Sequence, residues 1–498
     1  MFFQVSRVCG RLTKSLSLSS SSVGLSGILE KSLEVRAADS MRYGWLRVSL
    51  NDPFGLGLAA LCDHSRNKPL TYPRRMFVVN PRQLRSPAFG VSLSAATVAL
   101  AILFALTVVT PPAVQAQTYG VIYAFSGDPD GAGPYAGLTM DRGGKLYGTT
   151  HSGNSGTNWG NVYQLQHKGS GWVFNPLGVF DGTLSARAVF GPDGLIYSTS
   201  PNNIAGYVYG YVFNMRPGVK ACTAAICPWN ISLLYAFSGA ADGGSPRYGD
   251  LNFDQAGNIY GTTPGGGSGS GVVYEMMHSG PAWTEQPLYT FSGPDGAQPY
   301  AGVIFDNAGN LYGTTSQGGA YGYGTVYELS PAGNGWTEKV LYSFQGGSDG
   351  SSPIAGLIFD QAGNLYGATE NGGSGGGGTA FELTPSGGSW TFNLLYSFNG
   401  GTNCGPRAAL VMDGTGNLYG TTFCDGANNL GSIFKLTPSS PYWTYGSLYD
   451  FTGGSDGSQP ISNVIFDTAG NLYGTASTGG NHSACGSYGC GVVWKITP

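Results

Sequence analysis

The side chains of this sequence that could carry out chemistry are polar residues that break a repeated pattern. Catalysis needs an asymmetric set of groups, so a polar residue where other copies carry a small or apolar one is a candidate. Asp250 stands where other copies have Gly302 and Gly356. Arg407 occupies the position of Tyr300. The other polar departures are His151, Glu370, Asp425, Asn463 and His482. Two carboxylates in such a set could cleave a glycosidic bond.

No short motif of a known catalytic site accompanies these residues. The sequence contains no His-x-x-x-His pair, nucleophile elbow or phosphate-binding loop. It does not set the distance between any two carboxylates, and each departure also fits drift on a solvated face. We therefore assign no catalytic residue. A polysaccharide-acting hydrolase or lyase stays as the alternative to a non-enzymatic binding module.

Aromatic residues that occur once, in loops, are the candidates for ligand binding. A flat, partly polar ring can serve as a platform for a sugar. The repeated aromatic residues, such as the series of Trp172 and Tyr312, are instead typical of a core. The loop aromatics are Trp159, Tyr321, Tyr323, Phe423 and Tyr488. Together with Asp250 and Glu370 they make up the predicted ligand-binding set.

An aspartate followed by glycine recurs in five loops. These aspartates are Asp130, Asp242, Asp295, Asp349 and Asp456. Asp-Gly favours tight turns, which is the first interpretation. The alternative is a ring of carboxylates that binds Ca²⁺ together with backbone carbonyls. No cofactor is evident from the sequence, and calcium is the one that it leaves possible.

The six cysteines beyond residue 117 fall into three local pairs. These are Cys222 with Cys227, Cys404 with Cys424, and Cys485 with Cys490. An even count with local grouping indicates disulfide bonds and an oxidising compartment. Zinc is the alternative, although a single nearby histidine makes a poor ligand set.

The elements that must position these residues come from a phrase repeated seven times, best represented by Gly309–Thr315. The tyrosines of the seven copies are Tyr147, Tyr197, Tyr260, Tyr312, Tyr366, Tyr419 and Tyr473, at intervals of 50 to 63 residues. This period indicates a propeller or a solenoid, in which four strands form the usual blade. In one copy the predicted strands are Tyr300–Asp306, Asn310–Thr315, Gly324–Leu329 and Trp336–Phe344.

The ends of the repeat region favour a closed ring. The last copy ends after its third strand, and an extra strand of the missing fourth type, Gln117–Phe125, precedes the first copy. An N-terminal strand that completes the last blade leaves no sheet edge bare. Glycine supplies 83 of the 498 residues, which excludes a helical bundle. The predicted fold is all-β, a seven-bladed β-propeller of four-stranded blades over residues 117–498.

Two kinds of loop would emerge on one face of this propeller. The loop from a fourth strand to the next blade reads Asp-Gly-x-x-Pro, and the loop from a second to a third strand reads Gly-Gly. Both vary between copies, whereas the turns on the opposite face stay short. Variable loops on a rigid scaffold are where binding usually occurs. We therefore predict binding on this loop-bearing face.

The wording of the repeat resembles a bacterial family, the Gloeo/Verruco (GloVer) tandem repeat of exported proteins. The matching segments are Gly309–Thr315, Gly318-Gly319 and Val326–Leu329, with near copies around Tyr260, Tyr366 and Tyr473. The resemblance covers about 380 residues. It implies export and repetition, and it implies no chemistry because the family has no established activity.

Residues 86–116 predict a signal peptide or a membrane anchor. Segment 88–109 is uncharged and mostly apolar, arginines precede it, and small residues favour cleavage after Ala116. The apolar run is also long enough to span a bilayer uncleaved. Either way the propeller is expected outside: extracellular, at the cell surface or periplasmic, or anchored by its N-terminal side. Residues 1–85 are interpreted as an unstructured extension or as a mis-assigned start.

Charge narrows the choice of partners. From Ala113 onward the chain has 11 basic and 23 acidic residues. A region this acidic is repelled by phosphate backbones, which excludes nucleic acid. The expected partner is an extracellular glycan or protein, and contact with a membrane would occur only through residues 88–109.

Overall fold

The computed structural model describes residues 117–498 except 154–159, 181, 202–207, 219–228, 281 and 440–442, together with the backbone of three strands nearer the N-terminus. Those three, Ser32–Asp39, Arg42–Ser49 and Gly57–Ala59, form an antiparallel sheet. They belong to a unit separate from Thr110–Pro498. The predicted signal or anchor segment lies outside the described residues. Among those that are described, no helix is long and apolar enough to cross a membrane.

Residues 117–498 form seven four-stranded antiparallel blades, which confirms the predicted propeller. Blade 1 contains Thr139–Met140, Leu146–Thr150, Asn161–Lys168 and Gly171–Val179. Blade 2 contains Val189–Phe190, Ile196–Ser200, Tyr211–Arg216 and Asn230–Ala236. Blade 3 contains Asn252–Phe253, Ile259–Thr263, Val272–Ser279 and Ala282–Thr290. Blade 4 contains Ile304–Phe305, Leu311–Thr315, Thr325–Ala332 and Gly335–Ser343.

The remaining three blades follow the same order. Blade 5 contains Ile358–Phe359, Leu365–Thr369, Thr379–Ser386 and Ser389–Ser397. Blade 6 contains Val411–Met412, Leu418–Thr422, Ser432–Thr437 and Thr444–Asp450. Blade 7 contains Ile465–Phe466, Leu472–Ala476, Val492–Thr497 and, as its fourth strand, Thr118–Ala124. A short helix, His482–Cys485, and a 3₁₀ turn, Gly486–Tyr488, lie in the loop between the second and third strands of blade 7.

The N-terminal strand closes the ring as predicted. Thr118–Ala124 pairs antiparallel with Val492–Thr497, so Thr118 lies opposite Thr497 and Ala124 opposite Val492. The Tyr119 ring also stacks on Tyr449 of blade 6, with centroids 3.7 Å apart. The first strand of the ring therefore holds the last two blades together.

The hairpin between the first and second strands follows from its Asp-x-x-Gly-Asn sequence. In blade 4, Asp306 Oδ1 accepts hydrogen bonds from the backbone N–H groups of Ala308 and Asn310, at 2.8 and 2.9 Å. Gly309 has φ +87°, which a residue with a Cβ rarely adopts. The Tyr312 hydroxyl donates to Asp306 Oδ2 at 3.2 Å and so fastens the turn to the second strand.

The first strands are shorter than predicted, and the neighbouring blade explains why. Only Ile304–Phe305 pair in the ladder of blade 4, instead of the whole of Tyr300–Asp306. The carbonyl of Ala301 accepts a hydrogen bond from Thr262 Oγ1 of blade 3, at 2.9 Å. In blade 4 the segment before the first strand thus bonds to the preceding blade rather than to its own.

This threonine bond recurs around the ring. Its donor is the first Thr of the Gly-Thr-Thr phrase, which is buried in the second strand. The matching pairs are Thr149 with Ala186, Thr314 with Ala355, Thr421 with Ser462, and Thr475 with Ala136, at 2.9 to 3.2 Å. The last pair joins blade 7 to blade 1 across 339 residues of sequence, and the same hydroxyl lies 2.8 Å from the carbonyl of Pro134.

The hydrophobic core lies between blades. One cluster combines Tyr312 and Val326 of blade 4 with Leu357, Leu365 and Phe381 of blade 5. Tyr312 is 5 % exposed, so the repeated tyrosine is a core residue as predicted. Because each sheet face is covered only by its neighbour, no blade can bury its apolar face alone.

Two glutamates interrupt the aromatic stacking of the outer strands. In blades 4 and 5, Tyr342 stacks on Phe392 with centroids 4.5 Å apart. Glu285 and Glu338 take the place of Phe392 in blades 3 and 4. Burial raises the pKa of each of the two carboxyls to about 7, and the charges of Asp242 and Asp295, respectively, add to the shift.

Replacing Thr314 by valine should destabilise the ring. The substitution keeps the shape of the side chain but leaves the buried carbonyl of Ala355 without its donor, at a cost of about 1–3 kcal/mol. Urea unfolding of the variant measures the loss. Thr337→Val, on the exposed outer strand of the same blade, is the matched control. Equal stability of the two variants would contradict the structural role of the inter-blade bond.

The two buried glutamates predict a pH dependence of stability. Their pKa values are raised in the folded state, so between about pH 4.5 and 7 the folded protein binds more protons than the unfolded one. Stability then falls as the pH rises through this range. Melting temperatures measured from pH 5 to 8 should fall less steeply in the Glu285→Gln, Glu338→Gln double variant. An unchanged slope would show that these carboxyls do not titrate as described.

Candidate functional site

Segments from all seven blades converge on a central channel. One equivalent position per blade lines it: Gly137, Arg187, Asp250, Gly302, Gly356, Ala409 and Asn463. The cavity has a volume of about 90 Å³. Pockets that enclose small molecules usually measure about 300–1,000 Å³, so this channel has room for water rather than for a whole sugar.

An ion pair crosses the channel wall between blades 2 and 3. Arg187 Nη2 lies 2.7 Å from Asp250 Oδ2. Asp250 was a predicted site residue, whereas Arg187 was missed. The sequence could have identified Arg187, because Arg187 occupies in the preceding copy the position that Asp250 occupies in its own.

A second ion pair assembles three of the residues that the sequence singled out. Arg407 Nη2 lies 2.6 Å from Glu370 Oε1. The Arg407 guanidinium also lies over the Phe423 ring, 3.6 Å from its centroid. One ring face of Phe423 is therefore occupied by the protein itself, which sequence reasoning could not show.

A disulfide holds this cluster in place. Cys404 and Cys424 are bonded as predicted, and the backbone N–H of Cys424 donates to the carbonyl of Cys404 at 3.2 Å. Phe423 follows the second strand of blade 6 and Arg407 precedes the first strand of the same blade, so the bond joins the two loops that carry them. The Cys485–Cys490 disulfide is also present, and the predicted Cys222–Cys227 pair lies outside the described residues.

Two pairs of rings, one with Tyr135 and one with Tyr248 of the channel wall, form an aromatic cluster on the loop-bearing face. The rings of Tyr135 and His151 have centroids 4.5 Å apart, and those of Tyr248 and Tyr300 are 6.2 Å apart. Burial lowers the pKa of His151 to about 4, and the charge of Arg247 contributes. This histidine is therefore neutral at physiological pH. Of these residues, sequence reasoning had singled out only His151.

The predicted loop aromatics lie apart from this cluster. Tyr321, Tyr323 and Tyr488 are 57 %, 48 % and 76 % exposed. In the described part of the chain, no hydrogen bond or ring contact joins them to the channel. The ring of Tyr323 lies on the backbone of Gly346, where an added Cβ would come within 2.7 Å. Trp159 lies outside the described residues.

The five loop aspartates each bind the blade that precedes their loop. A tyrosine hydroxyl of the preceding fourth strand donates to each of the five carboxylates, as Tyr289 does to Asp295 at 2.6 Å. A backbone N–H donates as well, at 2.7 to 3.0 Å. Burial would raise the pKa of Asp295, but these hydrogen bonds outweigh it and the pKa lies below its usual value.

These contacts support the turn interpretation of the aspartates. Within the described residues, no three His, Cys, Asp or Glu side chains lie close enough together to hold a metal ion. Calcium binding by this ring stays a prediction. The two other loop residues contact their surroundings in a similar way, since Asp425 accepts from the N–H of Gly426 and His482 contacts the carbonyl of Gly453.

Solved structures resemble this chain only distantly. A Porphyromonas gingivalis protein, PorZ, described as a surface component of the type-IX secretion system, is 17 % identical with TM-score 0.43, covering 75 % of this chain and 47 % of that one. A Dyadobacter fermentans protein of unknown function is 15 % identical with TM-score 0.39, covering 67 % and 99 %. A presumed oxidoreductase (glucose dehydrogenase) from Thermus thermophilus is 14 % identical with TM-score 0.37, covering 76 % and 100 %.

The family comparison is more specific. No curated protein matches the sequence. The profile of the Gloeobacter/Verrucomicrobia repeat matches residues 189–405 and 304–498, and so spans most of the propeller. The chain therefore belongs to the Gloeobacter/Verrucomicrobia repeat family.

Proposed function

We propose that this chain is an exported binding module that holds an extracellular ligand, such as a glycan or a protein, on the loop-bearing face of the propeller. The pairing of the candidate carboxylates with arginines favours binding over catalysis. Asp250 contacts Arg187, and Glu370 contacts Arg407. Both carboxylates already have partners inside the protein.

A polysaccharide hydrolase would need one carboxyl that keeps its proton and a second that is free to attack or to activate water. Asp250 and Glu370 are each in contact with a guanidinium, so neither carboxylate is free to attack a substrate or to activate water. Asp425, the remaining acidic candidate, accepts a hydrogen bond from a backbone N–H of its own loop. Among Asp250, Glu370 and Asp425, the three candidate acidic residues, no pair thus offers the two free carboxyls that the hydrolase or lyase alternative needs.

The rigidity of the loops also favours a binding role. The disulfide between Cys404 and Cys424 fixes two loops before any ligand arrives, which lowers the entropy lost on binding. Similar loops from seven blades give several related subsites, and these can act together on a repetitive ligand. The two disulfides are compatible with an oxidising compartment outside the cytoplasm.

Alanine at Tyr321 or Tyr323 should weaken ligand capture about tenfold while the melting temperature changes by only a few degrees. Both rings are exposed on the loop-bearing face, and a stacking aromatic contributes on the order of 1 kcal/mol. A glycan array probed with the full chain and its variants measures capture. Reducing-sugar release from the same glycans, measured in parallel, should stay at background.

Asn307→Ala, in an exposed turn on the opposite face, is the matched control and should bind like the unaltered chain. Loss of binding in this control, with binding kept in the loop variants, would place the function on the other face. Release of reducing sugar would support the hydrolase or lyase alternative.

A further inference from the structure

A one-residue insertion distinguishes blade 3 at the mouth of the channel. Blade 4 reads Gln298-Pro299-Tyr300-Ala301, whereas blade 3 reads Ser245-Pro246-Arg247-Tyr248-Gly249 before the same first strand. The insertion adds Arg247 between the proline and the tyrosine. It therefore places a cation on the loop-bearing face where blade 4 has none.

The insertion forces an unusual backbone conformation on Tyr248. Its φ is +59°, and the N–H of Gly249 donates to the carbonyl of Arg247 at 2.6 Å, which closes a three-residue turn around Tyr248. A bulky residue in the left-handed region is strained, and such strain concentrates at functional sites. Tyr248 is also 43 % exposed, so its ring is held at the surface instead of being buried.

Arg247 differs from the two arginines that line the channel, because the described residues form no ion pair with it. Arg187 and Arg407 are each in contact with a carboxylate. Arg247 is exposed, and among the described residues no carboxylate lies within 4.0 Å of it. Its charge acts on His151 of blade 1 and on its neighbour Tyr248, so its field extends over the mouth of the channel.

We propose that the mouth formed by Tyr135, His151, Arg247, Tyr248 and Tyr300 binds an anionic sugar unit, with Arg247 pairing with the acidic group and Tyr248 stacking on the sugar ring. This inference rests on the proposed function and names the class of its ligand. A guanidinium forms charge-assisted, bidentate hydrogen bonds with a carboxylate or a sulfate. The channel beneath is too small for a sugar, so the unit lies across the mouth.

A short acidic oligosaccharide fits this mouth better than a long polyanion. The propeller region has a net negative charge, which repels an extended acidic chain. A chain end or a side branch brings one anionic group to Arg247 and leaves few others near acidic surfaces. The carboxylate of a uronic acid and the sulfate of a sulfated sugar both meet this description.

Isothermal titration calorimetry of the full chain with trigalacturonate and with a sulfated trisaccharide tests the proposal. Arg247→Gln should weaken binding of the acidic probe at least about tenfold, and Arg247→Lys should keep part of it. Arg142→Gln removes the same charge from an exposed turn on the opposite face and should have no effect. The methyl ester of trigalacturonate should bind as weakly to the unaltered chain as the acid binds to Arg247→Gln.

Binding of either acidic probe with this dependence on Arg247 supports the proposal and identifies the acidic group. Binding of neither probe, or equal binding by the Arg247→Gln variant, overturns it. The proposed function can survive that result. A ligand on the glycan array whose capture depends on Tyr321 or Tyr323 and not on Arg247 would keep the binding module and reject only the anionic sugar.

Discussion

Each blade of this protein can bury its sheet faces only against the next blade, and the ring must therefore close. The buried threonine of the repeated phrase helps to join neighbouring blades, because its hydroxyl donates a hydrogen bond to a backbone carbonyl of the following blade. Thr475 makes the same bond from the last blade to the first, to the carbonyl of Ala136. The pairing of Thr118–Ala124 with Val492–Thr497 then removes the last open edge. The residues shared by most copies of the repeat thus stabilise the ring. The residues that differ between copies are available for other roles.

Four of those departures, Arg187, Asp250, Arg407 and Asn463, lie around the channel because of where the repeat places its first strands. The segments that bond across blades also line the channel, so a substitution in them changes the channel wall in one sector only. Arg187 and Asp250 neutralise each other in one such sector, and Arg407 and Glu370 do so in another. The result is an asymmetric channel wall with two charge-balanced sectors on a repetitive scaffold.

The architecture could be predicted from the sequence because the same pattern of strands and turns occurs in seven copies. Blade number, hairpin turns and closure by the first strand could be predicted, and so could two of the disulfides.

The arrangement of the candidate site was harder to predict from the sequence. Glu370, Phe423 and Arg407 were each identified, but their assembly depends on two loops that meet only in space. Arg247 and Tyr248 were missed because a single insertion shifts the alignment of the copies, and the strain at Tyr248 is a property of the backbone. Tyr323 was taken for a solitary ring, although Tyr209 lies on Gly239 in the same way as Tyr323 lies on Gly346.

Thermal unfolding of a chain that lacks residues 117–125 tests the closed ring most directly. Without this strand, the Val492–Thr497 edge is bare and the outer face of blade 6 loses the stacking of Tyr119 on Tyr449. A ring that depends on closure should then lose its cooperative transition or melt at a much lower temperature than the full chain. A cooperative transition at the temperature of the full chain would contradict the account.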